Sequence, residues 1–545
     1  MPRLTIDNRD VEVPAGATIL DAARRLGIEV PTLCFLDGCT PSTSCMVCVV
    51  KVRNPDRFLP SCGMRAEEGM EVECDTGEVR EARRVALELL LSDHPGDCIG
   101  PCQSICPARM DIPQMIRQAA AGDWAAAAAT ARAAIVLPAT LGRICAAPCE
   151  KGCRRADHDA PLAIRLLHRR AADTDLASGK SLLPPCKPST GKHVAIIGAG
   201  PAGLAAMWRL LQEGIACTVF DDQDQPGGML RRNVPETELP HEVLDAEIAL
   251  VARLGATFRM RKSIGRDVAL ADLQKNFDAV LIAAGSLLPA EAEPKANTLL
   301  PQGAQVDRHT FQTSVPGLFA AGEAVHHHRM AVRAVADGAA AAGCIFQFLT
   351  GSPVTAPRRP YTTRLHSPTP EEMARLVATA SASPRVPPDG HEPAAHEPAA
   401  HEPAAGAAGG SRTAAGAEPP GFSEADARRE APRCLHCDCR KAHACKLRNY
   451  AEAYGASPGR YYGTRRQFEQ DARHANVVYE PGKCISCGLC IQIAARAKEP
   501  LGLTLIGRGF NVRVGVPFST TVAEGLKKAA AECVAACPTG ALAKK

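Results

Sequence analysis

The sequence lacks an excess of charge of one sign. Its 63 lysine and arginine residues are matched by 59 aspartate and glutamate residues, which leaves a formal net charge of +4. This balance creates no broad electrostatic field that would favour nucleic acid or an anionic membrane surface. We therefore expect neither as a binding partner.

Long apolar runs and an export signal are also missing. A membrane helix needs about 20 mainly apolar residues, whereas the apolar stretch at residues 125–137 is shorter and contains Arg132. Met1 is followed by a segment that resembles a strand and not by a basic and apolar leader. These features predict a cytoplasmic protein without a membrane span.

Cysteine, in contrast, is abundant. Most of the 24 cysteines lie in six groups, within residues 34–74, 98–106, 145–153, 434–445, 484–490 and 533–537. In a reducing compartment, cysteines at such short spacings are more often metal ligands than disulfides. Because thiolate is a soft ligand that suits iron in Fe–S clusters, we predict several clusters.

The chain is long enough for three to five domains at about 150 residues each. Apolar alternation at residues 4–6 and 11–13 predicts a hairpin, and the helix that follows has Thr18 as its expected N-cap. Later segments look first helical and then like alternating strands and helices. The predicted domains are 1–78, 79–180, 190–352, a linker with a Pro/Ala-rich repeat at 353–420, and 421–545.

The first cysteine set consists of Cys34, Cys45, Cys48 and Cys62. A loop supplies the first three thiolates and a later strand the fourth. Zinc is less expected here, because zinc sites usually pair two C-x2-C elements. After its β-grasp-like opening, the set resembles the [2Fe–2S] domain of complex I large subunits and hydrogenase subunits, which implies a [2Fe–2S] cluster.

Two further stretches, HPGDCIGPCQSICPARMDI and GRICAAPCEKGC, resemble the N-terminal helical domain of the glutamate synthase small subunit and of dihydropyrimidine dehydrogenase. The resemblance implies two [4Fe–4S] clusters, each one ligand short: Cys98, Cys102 and Cys153 would hold one, and Cys106, Cys145 and Cys149 the other. His94 precedes Cys98 by four residues, as in the His-ligated cluster of complex I. His168 lies on the following helix, so these two histidines are the candidates for the missing ligands.

The C-terminal region contains two more sets. Four cysteines within twelve residues could hold a [4Fe–4S] cluster, which we favour, or zinc: Cys434, Cys437, Cys439 and Cys445. A bacterial ferredoxin pattern of C-x2-C-x2-C with a remote Cys-Pro selects Cys484, Cys487, Cys490 and Cys537 and leaves Cys533 spare. The stretches KCISCGLC and CPTGAL resemble the ferredoxin-like region of complex I and hydrogenase subunits.

A dinucleotide-binding fingerprint begins after an apolar strand. Gly198, Gly200 and Gly203 form G-x-G-x-x-G, with Pro201 opening the helix, and Asp221 ends the next strand in position for a ribose hydroxyl. Glycines there let the backbone approach a pyrophosphate at the helix N-terminus. The stretches QPGGMLRRN and VPGLFAAGEA resemble the flavin domain of the same glutamate synthase-like family. That resemblance implies FAD, with these residues near it: Gly227, Gly228, Gly285, Gly322 and Glu323.

One part of that family's pattern is missing. Relatives carry a second Rossmann domain for NADPH between the strands that precede Gly285 and Gly322, but only 36 residues separate these two glycines here. A single βαβ unit takes about 30 residues, and no second glycine fingerprint is present. We therefore expect no nicotinamide site of the family's kind.

Together these features predict a multidomain α+β and α/β protein. It would combine a β-grasp [2Fe–2S] domain, a helical [4Fe–4S] domain, a Rossmann-like FAD domain lacking the nicotinamide domain, and a ferredoxin-like C-terminal module. With about four [4Fe–4S] clusters, it would relay electrons between an NADH-oxidising, diaphorase-like partner and a catalytic subunit. Two alternatives remain open: a free-standing oxidoreductase that uses ferredoxin or a small substrate, and a redox sensor.

Overall fold

The computed structural model describes residues 1–285, 305–326, 330–365, 368–387, 421–461 and 463–545. Its strands are β1 (Arg3–Ile6), β2 (Arg9–Glu12), β3 (Val49–Arg53), β4 (Asp56–Pro60), β5 (Glu71–Glu73), β6 (His193–Ile197), β7 (Ala216–Phe220), β8 (Thr257–Arg259), β9 (Ala279–Ile282), β10 (Leu318–Ala320), β11 (Val477–Tyr479), β12 (Thr504–Ile506), β13 (Arg513–Gly515) and β14 (Leu542–Lys544). Its helices are α1 (Ile19–Arg25), α2 (Gly77–Ser92), α3 (Pro101–Ile105), α4 (Ile112–Ala120), α5 (Trp124–Ile135), α6 (Pro138–Ile144), α7 (Pro148–Lys151), α8 (Ile164–Ala177), α9 (Pro201–Gln212), α10 (Met229–Arg232), α11 (His241–Arg253), α12 (Leu270–Asn276), α13 (Ala331–Leu349), α14 (Pro370–Ala378), α15 (Glu424–Glu430), α16 (Lys446–Ala453), α17 (Leu489–Arg496), α18 (Val522–Gly525) and α19 (Ala530–Ala536).

The chain divides into two compact units. The first contains Met1–Gly100, Pro360–Thr379 and Leu435–Lys545, and the second contains Pro101–Arg359 and Ala380–Cys434. In sequence, the second unit thus lies between segments that build the first. Segments predicted as separate N-terminal and C-terminal domains belong to one unit, and the five domain boundaries stay predictions. The Pro/Ala-rich repeat lies outside the described residues.

The first unit begins with a five-stranded sheet in the order β2-β1-β5-β3-β4. β1 and β2 form the predicted antiparallel hairpin, while β1 pairs with β5 in parallel. Thr18 caps α1: its hydroxyl accepts from the Asp21 amide, and the Asp21 carboxylate accepts from the Thr18 amide. This reciprocal capping box confirms the predicted start of the helix.

A buried arginine joins three elements of the first unit. Arg83 on α2 is 2% exposed, and its Nε and Nη2 donate to the Val49 carbonyl at 3.1 and 2.9 Å. Its Nη1 donates to the Tyr454 hydroxyl at 3.1 Å. Because β3 begins one residue after Cys48 and α16 begins one residue after Cys445, this arginine helps to fix the segments that carry both cysteines.

The second unit is built around a parallel sheet in the order β10-β9-β6-β7-β8. Each neighbouring pair in this sheet is parallel, and β6, β9 and β10 are almost wholly buried. Parallel strands covered on both faces are typical of doubly wound α/β folds. The α/β character predicted for this region is therefore confirmed.

Two helices of the second unit pack at very short range. Gly338 on α13 lies against Ala202 in the first turn of α9, so close that an added Cβ would stand 2.7 Å from the Ala202 carbonyl carbon.

By length and composition, α13 is the one helix among the described residues that could cross a membrane, and 39% of its most apolar stretch is buried. α5 and α6 would pass the same test only if joined across their 77° bend.

A buried carboxylate holds the start of α6. Glu247 on α11 is fully buried and accepts hydrogen bonds from the amides of Ala139 and Thr140 at 2.7 and 2.8 Å. These amides lie in the first turn of α6, where backbone N–H groups lack helical partners. α6 ends immediately before Cys145, so Glu247 supports the helix that presents this cysteine.

Candidate functional site

The first candidate cluster site lies beside the N-terminal sheet. Cys34, Cys45, Cys48 and Cys62 are all buried, with exposures of 3% or less. Their thiols interact directly, Cys34 with Cys45 and Cys62, and Cys62 also with Cys48. The structure thus brings together the four cysteines that the sequence pattern selected.

Hydrogen bonds among these thiols shift their pKa values in opposite directions. Those from Cys45 and Cys62 hold the pKa of Cys34 well below its ordinary value, and one from Cys62 lowers the pKa of Cys48 to about 7. The same hydrogen bonds, together with burial, raise the pKa of Cys45 and Cys62. Four buried thiols in mutual contact fit a [2Fe–2S] cluster, whose binding would release the remaining protons because ligation requires thiolates.

Cys98 lies in the first unit and not with Cys102 and Cys153, which lie in the second. Its carbonyl accepts from the Cys439 amide at 3.4 Å, and negative charge on Cys98 acts on the thiols of Cys439 and Cys445. Cys98 thus lies near Cys439 and Cys445, and its grouping with Cys102 and Cys153 stays a prediction.

His94, the predicted partner of Cys98, is partly buried in the same unit. Burial lowers its pKa to about 3, and the positive charges of Lys483 and Arg466 act in the same direction. The imidazole is therefore neutral at ordinary pH, the state in which it can ligate a metal.

The ferredoxin-like cysteines surround a cavity. Cys484, Cys487, Cys490 and Cys537 line it, together with apolar side chains that include Leu489, Val514 and Leu542. α17 starts between the second and third of these cysteines, and Cys537 caps the C-terminus of α19. Four thiols around one largely apolar cavity fit a [4Fe–4S] cluster.

Cys533, which the sequence pattern left spare, behaves differently. It is fully buried, and its thiol donates to the Cys490 carbonyl at 3.6 Å. Among the described residues it is not one of those lining the cavity.

In the second unit, Cys106, Cys145 and Cys149 form one neighbourhood. Burial raises the pKa of Cys149, and negative charge on Cys106 or Cys145 raises it further. Cys145 ends α6, and Cys149 lies on α7 after Ala147, whose φ of 47° is in the left-handed region. This tight turn returns the chain so that the two cysteines stay close together.

His168 stands on α8, which packs against α6. It is 4% exposed, and its Nδ1 lies 3.1 Å from the Pro138 carbonyl, to which a protonated Nδ1 donates. Burial lowers the pKa of His168 to about 4. The backbone contact fixes the tautomer that leaves Nε2 unprotonated, as is typical of metal-binding histidines.

Cys434 is the last residue of the second unit, and its grouping with Cys437, Cys439 and Cys445 stays a prediction. Arg433 beside it acts electrostatically on Cys153, and Arg155 Nη1 donates to the Arg433 carbonyl at 2.7 Å. Cys434, Cys153 and Cys102 all pack against the same apolar core. Cys434 is thus a further candidate ligand near Cys153.

The glycine-rich turn after β6 is packed without room for side chains. Gly198 has a φ of +106°, and an added Cβ there would stand 2.7 Å from the Ala283 carbonyl carbon. A Cβ on Gly203 would press against the Gly198 carbonyl. These close approaches hold the turn against the start of α9, as in dinucleotide-binding folds.

A second glycine turn faces the first. Gly227 donates its amide to the Ala199 carbonyl at 3.0 Å. Gly228 has a φ of +56°, and an added Cβ would lie 2.8 Å from the Gly200 Cα. The two bare turns border the N-terminus of α9, beginning at Pro201, and this arrangement fits the pyrophosphate of a dinucleotide such as FAD.

Other predicted FAD residues follow the carboxyl ends of neighbouring strands. Gly285 follows β9, and Gly322 and Glu323 follow β10. Because these strands are parallel, the residues lie at one edge of the sheet, where α/β folds bind ligands. The Asp221 carboxylate accepts from the backbone amides of Ala199 and Gln223 at 2.7 and 2.9 Å, so its contact with a ribose stays a prediction.

In the described part of the chain, no three His, Cys, Asp or Glu side chains are arranged to hold a single metal ion.

Three family models match the sequence. The 2Fe-2S iron-sulfur cluster binding domain matches residues 2–77, the dihydropyrimidine dehydrogenase domain II, 4Fe-4S cluster, matches residues 95–180, and the FAD dependent oxidoreductase family matches residues 193–398. The chain carries 2Fe–2S, 4Fe–4S and FAD domains. The cofactor classes predicted from the sequence are thereby confirmed.

Relatives with known names resemble part of the chain. The NADP(+)-dependent formate dehydrogenase subunit beta of Moorella thermoacetica is 38% identical over 34% of this chain and 29% of its own length. The NAD-dependent dihydropyrimidine dehydrogenase subunit PreT of Escherichia coli K12 is 38% identical over 34% of this chain and 45% of its own length. The Mycobacterium tuberculosis glutamate synthase small chain is 34% identical over 35% of this chain and 39% of its own length. The predicted resemblance is confirmed, although the matches span less than half of each relative.

Sequence reasoning missed residues that surround Cys98. Thr363 Oγ1 lies 3.3 Å from the Cys98 sulfur, and the Thr363 amide donates to the same sulfur at 3.5 Å. Tyr361 and Lys483 also interact electrostatically with Cys98. No motif marks Thr363 or Tyr361, and only folding brings these residues and Lys483 near a cysteine so distant in sequence.

Proposed function

We propose that the chain is an electron-transfer subunit of a larger oxidoreductase, in which Fe–S clusters and one FAD are held within a single polypeptide. The observation that carries this proposal is the coexistence of several buried thiol groups with a glycine-lined dinucleotide cradle. In the described residues, no acid, base or nucleophile stands out as a catalytic group beside that cradle. Relay of electrons accounts for these features more simply than transformation of a substrate at the flavin.

Each part of the chain has a defined task in this proposal. When bound, FAD supplies two-electron chemistry that can be released in single-electron steps, and the clusters supply single-electron transfer. The cysteines hold iron, and the apolar side chains around them exclude water, which affects reduction potentials. The turns at Gly198–Gly203 and Gly227–Gly228 let the backbone approach a pyrophosphate.

The proposal extends to the finer architecture. The N-terminal sheet would be a β-grasp domain, the C-terminal region a ferredoxin-like module, and the parallel sheet a Rossmann-like domain without a nicotinamide-binding partner. The absence of a nicotinamide-binding domain is inferred from the 36 residues between Gly285 and Gly322. That length leaves room for little more than one βαβ unit of about 30 residues. The assigned cysteines, His94, His168 and Asp221 are proposed ligands on the geometry described above.

We further propose that the physiological partners are an NAD(P)H-oxidising flavoprotein and a catalytic subunit. Two relatives support this setting because they are named as beta subunits: that of the formate dehydrogenase above and that of the NADPH-Fe(3+) oxidoreductase of Geobacter sulfurreducens. Hydride transfer needs the donor ring held closely against the flavin, and this chain has little sequence with which to build such a surface.

Stopped-flow reduction tests the proposal. The purified full chain, loaded with FAD and iron, is mixed anaerobically with NADH or NADPH while flavin bleaching is followed, with and without the complex isolated from its native host. We expect negligible bleaching of the chain alone and fast reduction in the complex. Dithionite, which needs no binding site, serves as the control that the flavin is redox-competent.

Two results would contradict the proposal. Rapid bleaching of the single chain by either nicotinamide would place a hydride-accepting site in it. Isolation of the chain from its host without any partner subunit would favour a free-standing oxidoreductase.

A further inference from the structure

Three cysteines from distant parts of the sequence lie near one another in the first unit. The Cys98 carbonyl accepts from the Cys439 amide at 3.4 Å. Negative charge on Cys98 or Cys439 adds to the effect of burial in raising the pKa of Cys445, to about 12. All three side chains are buried, although the whole second unit lies between the first and the others in sequence.

The backbone around these three cysteines keeps their sulfur atoms close together. A Cβ added at Gly540 would overlap the Cys439 sulfur, so this position leaves no room for a side chain. Cys445 is held by its neighbours, because the Arg448 amide donates to its sulfur at 3.5 Å and the Leu447 amide donates to the Pro538 carbonyl at 3.2 Å. The first of these contacts makes Cys445 the N-cap of α16.

A buried hydroxyl near Cys98 needs an acceptor. The Tyr361 hydroxyl oxygen is buried and has no hydrogen-bond partner among the described residues, while charge on Cys98 acts on it. Buried polar groups are almost always paired, so an unpaired one points to an absent partner. Sulfur atoms of a cluster held by Cys98 would supply that acceptor.

A buried lysine also lies near these cysteines. Lys483 is 2% exposed and pairs with Glu480 at 2.5 Å, and it interacts with Cys98 and Cys439. A Cβ added at Gly96 would lie 2.7 Å from the Lys483 Cε. Isolated buried charges are costly, and Glu480 balances the charge of this ammonium. Thiolates bound to iron would add the negative charge that this lysine faces.

We propose that Cys98, Cys439 and Cys445 hold one [4Fe–4S] cluster, with His94 as the fourth ligand. His94 stands two residues before Gly96, which packs against the Lys483 side chain, and the same side chain lies near Gly540, beside the Cys439 sulfur. The site is therefore divided in sequence by the second unit, and each of its halves is incomplete alone. The Tyr361 hydroxyl and the Lys483 ammonium face this cluster and raise its reduction potential, because both stabilise added negative charge.

This assignment replaces two sequence-based groupings. Cys98 leaves the predicted set of Cys102 and Cys153, and Cys439 and Cys445 leave the predicted set of Cys434 and Cys437. The proposal deepens the proposed function by naming a ligand set, but iron counting tests it without any donor, acceptor or partner subunit.

Non-additive iron loss is the decisive measurement. The full-length protein is prepared anaerobically, with roughly 14–18 Fe per chain expected from the cysteine sets. Cys98→Ala and Cys439→Ala should each lose about four Fe, and the double variant should also lose about four. The matched control is the double variant Cys98→Ala/Cys484→Ala, which removes ligands of two different sites and should lose about eight Fe.

The [2Fe–2S] EPR signal and the FAD content show that each variant is folded and must be retained. A loss of about eight Fe in the Cys98/Cys439 double variant would overturn the proposal. Retention of full iron in either single variant would overturn it too.

Conservative variants test the remaining residues of the site. His94→Cys should keep the iron and shift the reduction potential of one [4Fe–4S] signal, the same signal that Cys98→Ala removes. Tyr361→Phe, which deletes only the hydroxyl, should lower the potential of that signal and leave the others unchanged. If both variants leave this signal and its potential unaltered, His94 is not a ligand and Tyr361 does not face the cluster.

Discussion

The contact between α9 and α13 allows a sharp test of how the flavin cradle is held. In Gly338→Ala, the new Cβ would stand 2.7 and 2.9 Å from the Ala202 carbonyl carbon and Cα, and closer still to the carbonyl oxygen. Ordinary carbon contacts are about 3.5–4.0 Å, so the two helices must separate by about 1 Å. Because Ala202 lies in the first turn of α9, this movement displaces the helix N-terminus proposed to face the pyrophosphate.

The same helix provides a matched control. Gly343 also lies within α13, but nothing stands within 4 Å of a Cβ added there. Both substitutions gain about 1 kcal/mol of helix propensity, whereas only Gly338→Ala incurs the overpacking cost of about 1–3 kcal/mol. The two variants should therefore differ by about 1–3 kcal/mol in free energy of unfolding. For domains of 150–250 residues, each kcal/mol lowers the unfolding midpoint by about 2–4 °C.

The assay is FAD stoichiometry after gel filtration, combined with thermal unfolding followed by flavin fluorescence. Gly338→Ala should lose FAD and unfold several degrees below Gly343→Ala, which should match or exceed the unsubstituted protein. Equal FAD content and equal midpoints in the two variants would refute the reasoning, because they would show that the helices separate without cost.

Two further predictions concern the second unit. His168→Ala should perturb one [4Fe–4S] EPR signal and spare the [2Fe–2S] signal, because Nε2 is the proposed fourth ligand beside Cys106, Cys145 and Cys149; unchanged signals and potentials would exclude this role. Burial raises the pKa of Glu247 to about 7, from an unfolded value of about 4.3, so the folded state keeps a proton that the unfolded state releases. Stability conferred by this proton is complete below about pH 4.3 and falls by about 3 kcal/mol as the pH rises to 7. Urea unfolding of Glu247→Gln should lack this part of the pH dependence, and identical profiles for both proteins would contradict the assignment.

Local patterns predicted much of the molecule. The hairpin, the N-cap at Thr18 and the glycine turn between β6 and α9 each depend on residues near one another in sequence, and the structure contains all three. The members of the first cysteine set, Cys34, Cys45, Cys48 and Cys62, also lie within one continuous segment, which is why their grouping could be anticipated. Short-range geometry is therefore sufficient for these features.

The grouping of Cys98 and Cys434 could not be predicted in the same way. Spacing assigns a cysteine to its nearest neighbours along the chain, whereas Cys98 approaches Cys439 and Cys434 lies near Cys153. These encounters depend on where the inserted unit begins and ends. Tyr361 belongs to no motif, and although Lys483 begins the KCISCGLC stretch, the pattern does not indicate that it lies near Cys98.

The division of the first unit into distant segments sets an order for biogenesis. During translation, Cys98 leaves the ribosome well before Cys439 and Cys445, at about 5–20 residues per second. The entire inserted unit is made during that interval of roughly tens of seconds. If these cysteines share one cluster, the cell must keep the Cys98 thiol reduced and unligated until the last segment arrives. Iron delivery to this site would then be a post-translational step, sensitive to oxidative stress at a time when the earlier sites are already filled.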